Sequence, residues 1–406
     1  MNDELMAPQE TPASLQRALD VWEKRGDSSP LERWLSRELD ASGAPVEIPL
    51  EVWPVAIERI AQARGVRPGW PEAVDERAAD LVRMLMRFSR PDGRQAIVPA
   101  ETAPRAYWKR VSTAIARPDI DRVLSWWLPG RDAEPVPPPL PAWSSTDRVL
   151  GVLRADWTPR GDFLVFDQRQ ADAGTRFELF GAGVPWFGPI WSAPSPESTP
   201  KPTAWGTNSA ADVAEWTFRS GGRQVTRLVL LLRGRRMAIL ADQVEGLAPD
   251  EVWETHVDVP APLSVESIPD LGSLSLRKRP GAKVTQLAAL SGARLEFDPA
   301  TRRISLAQRS RGGRALMVML ISWDAQRARK ALAWKPLTVA ERGAACSPDV
   351  AWASRVSWGR GDSFVIYRSL GAAARRSFLG FTTTARFAVG RFAIPEGDIE
   401  PIVTLA

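Results

Sequence analysis

The segment PGRDAEPVPPPLPAW, residues 129–143, constrains the fold more than any other stretch of this chain. Proline fixes φ and lacks an amide donor, so this run is neither helix interior nor central strand. It is expected to act as a semi-rigid linker. The apolar pattern changes period across it, which divides the chain into two regions of different class.

Upstream, residues 12–128 read as helical. Thr11-Pro12 and Ser29-Pro30 have the form of an N-cap followed by proline in the first helical turn. Leu15, Leu19 and Trp22 share one face, as do Leu31, Trp34, Leu35 and Leu39. In PEAVDERAADLVRMLMRFSR, Val74, Ala78, Leu81, Leu85 and Phe88 recur at spacings of three and four, the stripe of a buried helix face. Further helices are expected over 55–64, 106–116 and 120–128. Downstream the period falls to two. VAEWTFRS places Trp216 and Phe218 on one face, and RQVTRLVLLLRGRRMAILAD reads as two strands joined at Arg233-Gly234. SLSLRK, TQLAAL, ARLEFD, RISLAQ, ALMVMLIS, SFVIYRS, RSFLGFTT and RFAVGRF follow, separated by turn-forming residues. The pattern predicts an α+β multidomain chain: a small all-α domain over 1–128, the linker over 129–143, and a large antiparallel β-sandwich over 144–406. No fixed-period repeat is evident, which argues against a propeller.

Charge and cysteine content narrow the function classes. The net charge of +5 is spread over 406 residues, and its longest clusters, Arg233-Gly-Arg235-Arg236 and Arg277-Lys278-Arg279, are short. A nucleic-acid partner calls for a clustered basic stripe, so that class is disfavoured. One cysteine, Cys346, precludes an internal disulfide framework. The N-terminus has neither a basic n-region nor an apolar h-region, and the longest apolar run, 315–321, has the length of a strand. A cytoplasmic location without membrane insertion is the expectation.

Few side chains here carry proton chemistry. The one histidine, His256, cannot build a multi-histidine metal site, so no metal and no cofactor are expected. Phosphate-binding glycine loops and a GxSxG elbow are absent from the sequence. His256 is a base near neutral pH or a packed strand residue. Tyr367, next to Arg368, is a phenolic acid/base or a sandwich residue. The tryptophans number 18, and Trp186 and Trp191 stand in the Gly/Pro-rich run FGAGVPWFGPIW. They are stacking residues for sugar rings on a loop, or fillers of a wide core.

The stretch VLRADWTPRGDFLVFDQRQADAGTRFEL, 152–179, resembles the start of the β-sandwich in heparinase II/III-like polysaccharide lyases, through Arg154, Trp157, Phe163, Leu164, Phe166, Asp167 and Phe177-Glu178-Leu179. VTRLVLLLRGRRMAILADQVEG, 225–246, is similar to a strand pair of that family through Arg227, Asp242, Val244 and Gly246, and His256 falls where members often carry a histidine. The resemblance covers roughly 145–260. It implies a lyase-like sandwich, but the family's histidine-rich stretch is replaced here by QRQADAGTR, 168–176, and its large α-toroid by the helical segment before the linker.

Three readings stand. The first is a non-catalytic heparinase II/III-like sandwich protein with a face for an acidic glycan or a protein partner, using Trp186, Trp191, Arg169, Arg176 and Arg368. The second is a divergent lyase that cleaves uronate glycans by β-elimination, with Tyr367 and His256 transferring protons and the arginines neutralising the carboxylate. The third is a cytoplasmic interaction scaffold. The lyase reading requires Tyr367 or His256 in an open cleft beside arginine. The glycan reading requires exposed faces on Trp186 and Trp191, and the scaffold reading an exposed apolar patch.

Overall fold

The computed structural model describes residues 10–97, 104–127, 138–139, 141–169, 174–193, 196–268, 272–278, 283–359, 361–393 and 397–406. The chain divides into two compact units, one holding the residues up to 141 together with 156–161, the other holding 142–155 and 162–406. Most of the expected linker lies outside the described residues.

The first unit carries α1 (Ala13–Arg25), α2 (Ser29–Glu38), α3 (Trp53–Val66), α4 (Glu72–Phe88), α5 (Pro104–Ile115) and α6 (Pro118–Trp127). The apolar stripes read from spacing are its core: Leu15, Leu19, Leu31, Leu35, Val74, Ala78, Leu81 and Leu85 are all essentially inaccessible. The caps differ from expectation. Pro12 rather than Thr11 is the N-cap of α1, and Ser29 is itself the first residue of α2. The Ser29 amide donates to Asp27 Oδ1, and that bond holds the Asp27 carboxyl below its ordinary range.

A local repeat that the sequence reading missed appears here. α2 and α4 each end in a tight turn closed by a β-bridge, Leu39 to Pro45 in one case and Ser89 to Gln95 in the other. The turn amides match: Gly43 donates to the Asp40 carbonyl and Gly93 to the Arg90 carbonyl, with φ of 85° and 83°. Both glycines occupy the left-handed region that other residues reach only with strain. The two helix-pair-and-turn modules share little beyond apolar spacing and this glycine, which is why a search for similar residues passes over them.

The second unit is a stack of antiparallel sheets. A nine-stranded sheet runs, across its hydrogen-bonded path, through Trp143–Ser144, Leu150–Arg154, Phe163–Asp167, Thr175–Gly181, Ile190–Ser192, Val252–Asp258, Arg303–Arg309 and Arg294–Asp298, with Val184–Phe187 attached to Thr175–Gly181. An eight-stranded sheet is centred on Arg223–Leu232, Met237–Glu245 and Arg314–Ser322. A five-stranded sheet contains Ala351–Trp358, Ser363–Ser369 and Phe387–Phe392, and a four-stranded sheet contains Ala340–Glu341 and Arg376–Phe378.

Three apolar cores alternate with these layers. The segment LVLLL, 228–232, shows how. Val229 and Leu231 enter the core shared with the nine-stranded sheet, while Leu228, Leu230 and Leu232 enter the core shared with the five-stranded sheet. A strand buried on both faces loses the polar half of its alternation, so its sequence is an unbroken apolar run. A third core, with Tyr367 and Phe378, lies between the five- and four-stranded sheets. The sandwich anticipated from strand spacing thus continues beyond two layers. Among the described residues no helix is long and apolar enough to cross a membrane.

Candidate functional site

The most concentrated polar chemistry lies inside the first inter-sheet core. Arg227 and Asp242 sit directly opposite one another in neighbouring strands of the eight-stranded sheet. Both side chains are buried, and two parallel hydrogen bonds of 2.7 Å join them. The remaining guanidinium donors reach across to the nine-stranded sheet, to Thr175 Oγ1 at 2.7 Å and the Trp191 carbonyl at 2.9 Å. The guanidinium carbon stands 3.8 Å from the centre of the Trp191 ring, a cation–π contact. Thr255 Oγ1 accepts from Trp191 Nε1 at 3.0 Å and donates to the Ser192 carbonyl at 2.7 Å. Gln168 Oε1 accepts from both Thr175 Oγ1 and Trp216 Nε1 at 2.7 Å. Two charges taken out of water are costly unless paired and hydrogen-bonded, and here they are both. The arrangement ties two sheets together. Its groups are spent on one another, apart from Gln168 Nε2, which is buried without a hydrogen-bond partner among the described residues.

Trp186 and Trp191, expected as stacking residues on a loop, lie instead on two short strands, Val184–Phe187 and Ile190–Ser192. Their exposures are 1% and 2%, so neither offers a ring face to a sugar. The turn between them is possible because Gly188 has φ of 128° and any side chain there would strike the Phe177 carbonyl. Trp186 donates to the Gly181 carbonyl and Trp191 faces Arg227, so the Gly/Pro setting that suggested a loop serves a tight inward hairpin.

The other predicted residues are dispersed. Arg169 folds back on Asp167, with contacts of 3.0 and 2.8 Å. Arg176 is half-buried and lies opposite Asp167 and Ile190 in the same sheet. Tyr367 and Arg368 are neighbours in one strand and therefore point to opposite faces. Tyr367 is fully buried, stacked on Phe378 at 5.0 Å, and its hydroxyl accepts from Arg376 at 3.4 Å. Arg376 itself is held by Glu341 at 3.0 Å and Ser369 Oγ at 2.5 Å. Arg368 faces the eight-stranded sheet, where it pairs with the buried Glu215 and donates to Gln243 Oε1 at 2.9 Å. His256 is half-exposed in the nine-stranded sheet, 4.0 Å from Glu254. Tyr367 and His256 therefore lie in different sheets, with the eight-stranded sheet between them, and the structure does not bring them to one site. The other tyrosine, Tyr107, donates to the Pro54 carbonyl at 3.1 Å, and burial raises its pKa well above that of an ordinary phenol.

Small hollows lie between the eight- and five-stranded sheets. The row Thr226, Gln243, Leu316 faces the row Trp352, Arg368, Phe387. A hollow of about 10 Å³ lies between them, and a second of about 40 Å³ continues past Leu316 and Trp352, which line both. The sequence reading missed Trp352 and Gln243. The available signal was AWASRVSW, a strand whose alternate positions include Trp352 and whose neighbours are small. Among the described residues no group of three or more histidine, cysteine, aspartate or glutamate side chains is placed to hold a metal ion.

Comparison with known proteins places this fold. The chain is similar to the crystal structure of a heparan sulfate lyase from Pedobacter heparinus, with 14% identity and a TM-score of 0.68 over 90% of this chain and 67% of the lyase. A mutant of that enzyme matches at 14% identity and TM-score 0.67, over 93% of this chain and 67% of that one. A heparinase III, the BT4657 gene product, matches at 12% identity and TM-score 0.68, over 88% and 65%. The chain thus spans about two thirds of the length of these lyases, and at such identity the likeness is one of fold. No family model and no curated protein matches the sequence.

Proposed function

We propose that this chain is a lyase-fold protein that binds rather than cleaves, its β-region acting as a glycan-binding body. The observation that carries this reading is the state of the chain's few proton-transfer side chains. Both tyrosines are buried with their hydroxyls committed to neighbours, and the single histidine stands in another sheet from Tyr367. β-Elimination from a uronate needs a base, an acid and a carboxylate-neutralising cation around one carbon. Arg368, the cation adjacent to Tyr367, points away from it and is neutralised by Glu215.

The fold likeness to heparan sulfate lyases favours cleavage as the second reading, so turnover is the decisive measurement. The protein is incubated with heparan sulfate, heparin and alginate, and the absorbance of unsaturated uronate products is followed. The expected result is no product, with retention of at least one acidic glycan on an array. Product formation abolished by Tyr367→Phe or His256→Ala would sink the binding reading. An interaction scaffold has less support. The exposed large apolar side chains among the described residues are Val66 at a helix end, Val252 at the start of a strand and Leu379 in a turn.

A further inference from the structure

Two turns at one end of the eight-stranded sheet bring together basic residues that the sequence keeps apart. The first is the hairpin turn 233–236 between Arg223–Leu232 and Met237–Glu245, where Arg235 and Arg236 are exposed. The second follows Arg314–Ser322 and contains the short helical turn Arg327–Arg329, where Arg329 and Lys330 are exposed. Arg327 Nη1 donates to the Arg235 carbonyl at 2.7 Å, joining residues 92 positions apart. The Trp323 amide donates to the Arg236 carbonyl at 3.0 Å. Arg327 itself is buried, 4.6 Å from the centre of the Trp358 ring, and is paired with Asp362 at 2.8 Å. It is a pillar beneath the two turns, and it spends the Asp362 carboxylate. Asp324 is largely spent too. Its Oδ1 accepts from the amides of Gln326 and Arg327, and its Oδ2 stands 4.0 Å from Arg236. Among the described residues no carboxylate pairs with Arg235, Arg329 or Lys330. The turns are held by backbone and buried bonds before any ligand arrives, so binding has to immobilise only the exposed side chains.

We infer that these two turns form a docking surface for an acidic glycan chain, whose charged oxygens take the free donors of Arg235, Arg329 and Lys330. A guanidinium donates to an oxyanion through two parallel N–H groups, and an ammonium supplies a point charge. The surface lacks what other polyanions use. Single-stranded nucleic acid stacks on aromatic faces, and Trp323 and Trp358 beneath these turns are buried. A membrane surface takes inserted apolar side chains beside basic ones, and the exposed large apolar residues Val66, Val252 and Leu379 lie in other elements. The assignment rests on the binding reading above and adds the surface that carries it.

Binding of the full chain to immobilised heparin and alginate, followed by biolayer interferometry at increasing NaCl, tests it. Two doubly substituted proteins are compared with the wild type. Arg235→Glu with Arg329→Glu reverses two charges on the surface. Arg311→Glu with Arg375→Glu makes the same change in net charge at exposed arginines that precede the strands Arg314–Ser322 and Arg376–Phe378. All four side chains are exposed, so both proteins are expected to keep the fold. The expected result is that the wild type binds at least one glycan, that the first pair weakens binding about tenfold or more, and that the second leaves it within about twofold. Binding of heparin alone assigns the surface to sulfated chains, and binding of both assigns it to carboxylates. Losses that do not differ between the two pairs overturn this location and leave the binding reading intact. Duplex DNA or phosphatidylserine vesicles bound more tightly than either glycan, and released by the first pair, overturn the glycan assignment. No binding of either glycan overturns both this location and the binding reading.

Discussion

The two seams on either side of the eight-stranded sheet each contain a buried arginine–carboxylate pair, and they differ in what surrounds it. In the seam with the nine-stranded sheet, Arg227 spends its remaining donors on Thr175 and Trp191, and the space is closed by Trp191 and Trp216. In the seam with the five-stranded sheet, Glu215 is shared between Arg368 and the more exposed Arg386, 3.2 Å away, and a small hollow lies beside Arg368. A buried ion pair is therefore not in itself the mark of a site. The closed pair fastens two layers, and the other stands beside a small hollow and shares its carboxylate with a more exposed arginine.

The sharpest way to break this comparison is to remove one partner of the closed pair. Asp242→Ala leaves the Arg227 charge buried without a counter-ion and is expected to cost about 3–5 kcal/mol, read from urea denaturation. The double replacement Arg227→Met with Asp242→Leu removes both charges and is expected to recover most of that loss. A single substitution no worse than a surface change would show that the pair does not fasten the layers. At the other seam, Arg368→Ala is expected to cost less, about 1–3 kcal/mol, because an imperfectly satisfied buried acceptor remains. Glu215 there keeps Arg386 at 3.2 Å and Thr203 at 3.1 Å. Equal losses for Asp242→Ala and Arg368→Ala would erase the distinction. Trp352→Ala is expected to change stability by only about 1 kcal/mol, since its ring is only half-buried.

The smallest effect is a pH dependence in the closed seam. Burial raises the pKa of Asp212 above 3.8, with the hydrogen bonds from Arg233 and Thr207 opposing it. A carboxyl with a raised folded pKa contributes stability that is fully present below its unfolded value and is lost as pH rises through the folded value. Wild-type stability relative to Asp212→Asn is therefore expected to decline as the pH climbs from below 3.8 toward neutrality. Denaturation midpoints across that range measure it, and a difference that grows with pH would reverse the assignment.

Much of the layered architecture was legible before any coordinates. Helical spacing marked Leu81 and Leu85, period two marked Trp216 and Phe218, and RQVTRLVLLLRGRRMAILAD marked a pair of strands joined at Arg233-Gly234. The stretch carrying Trp186 and Trp191 was misleading for a physical reason. Glycine and proline report backbone conformation, and a tight hairpin turning inward needs the same residues as an exposed loop. Trp352 went unnoticed because AWASRVSW marks a strand with a tryptophan among small residues but not what that strand packs against.

By itself the sequence determined the class of each region, the change of period near residue 129, and the poverty of proton-transfer groups, since these follow from residue type and local spacing. Only the tertiary structure decided which tryptophans are core and which arginines are spent. It also placed Tyr367 and His256 in different layers and Arg311, Asp349 and Trp352 around one small hollow. Such outcomes depend on which strands pair and how sheets stack. Those contacts join residues far apart in the chain, and no local pattern encodes the distance between them.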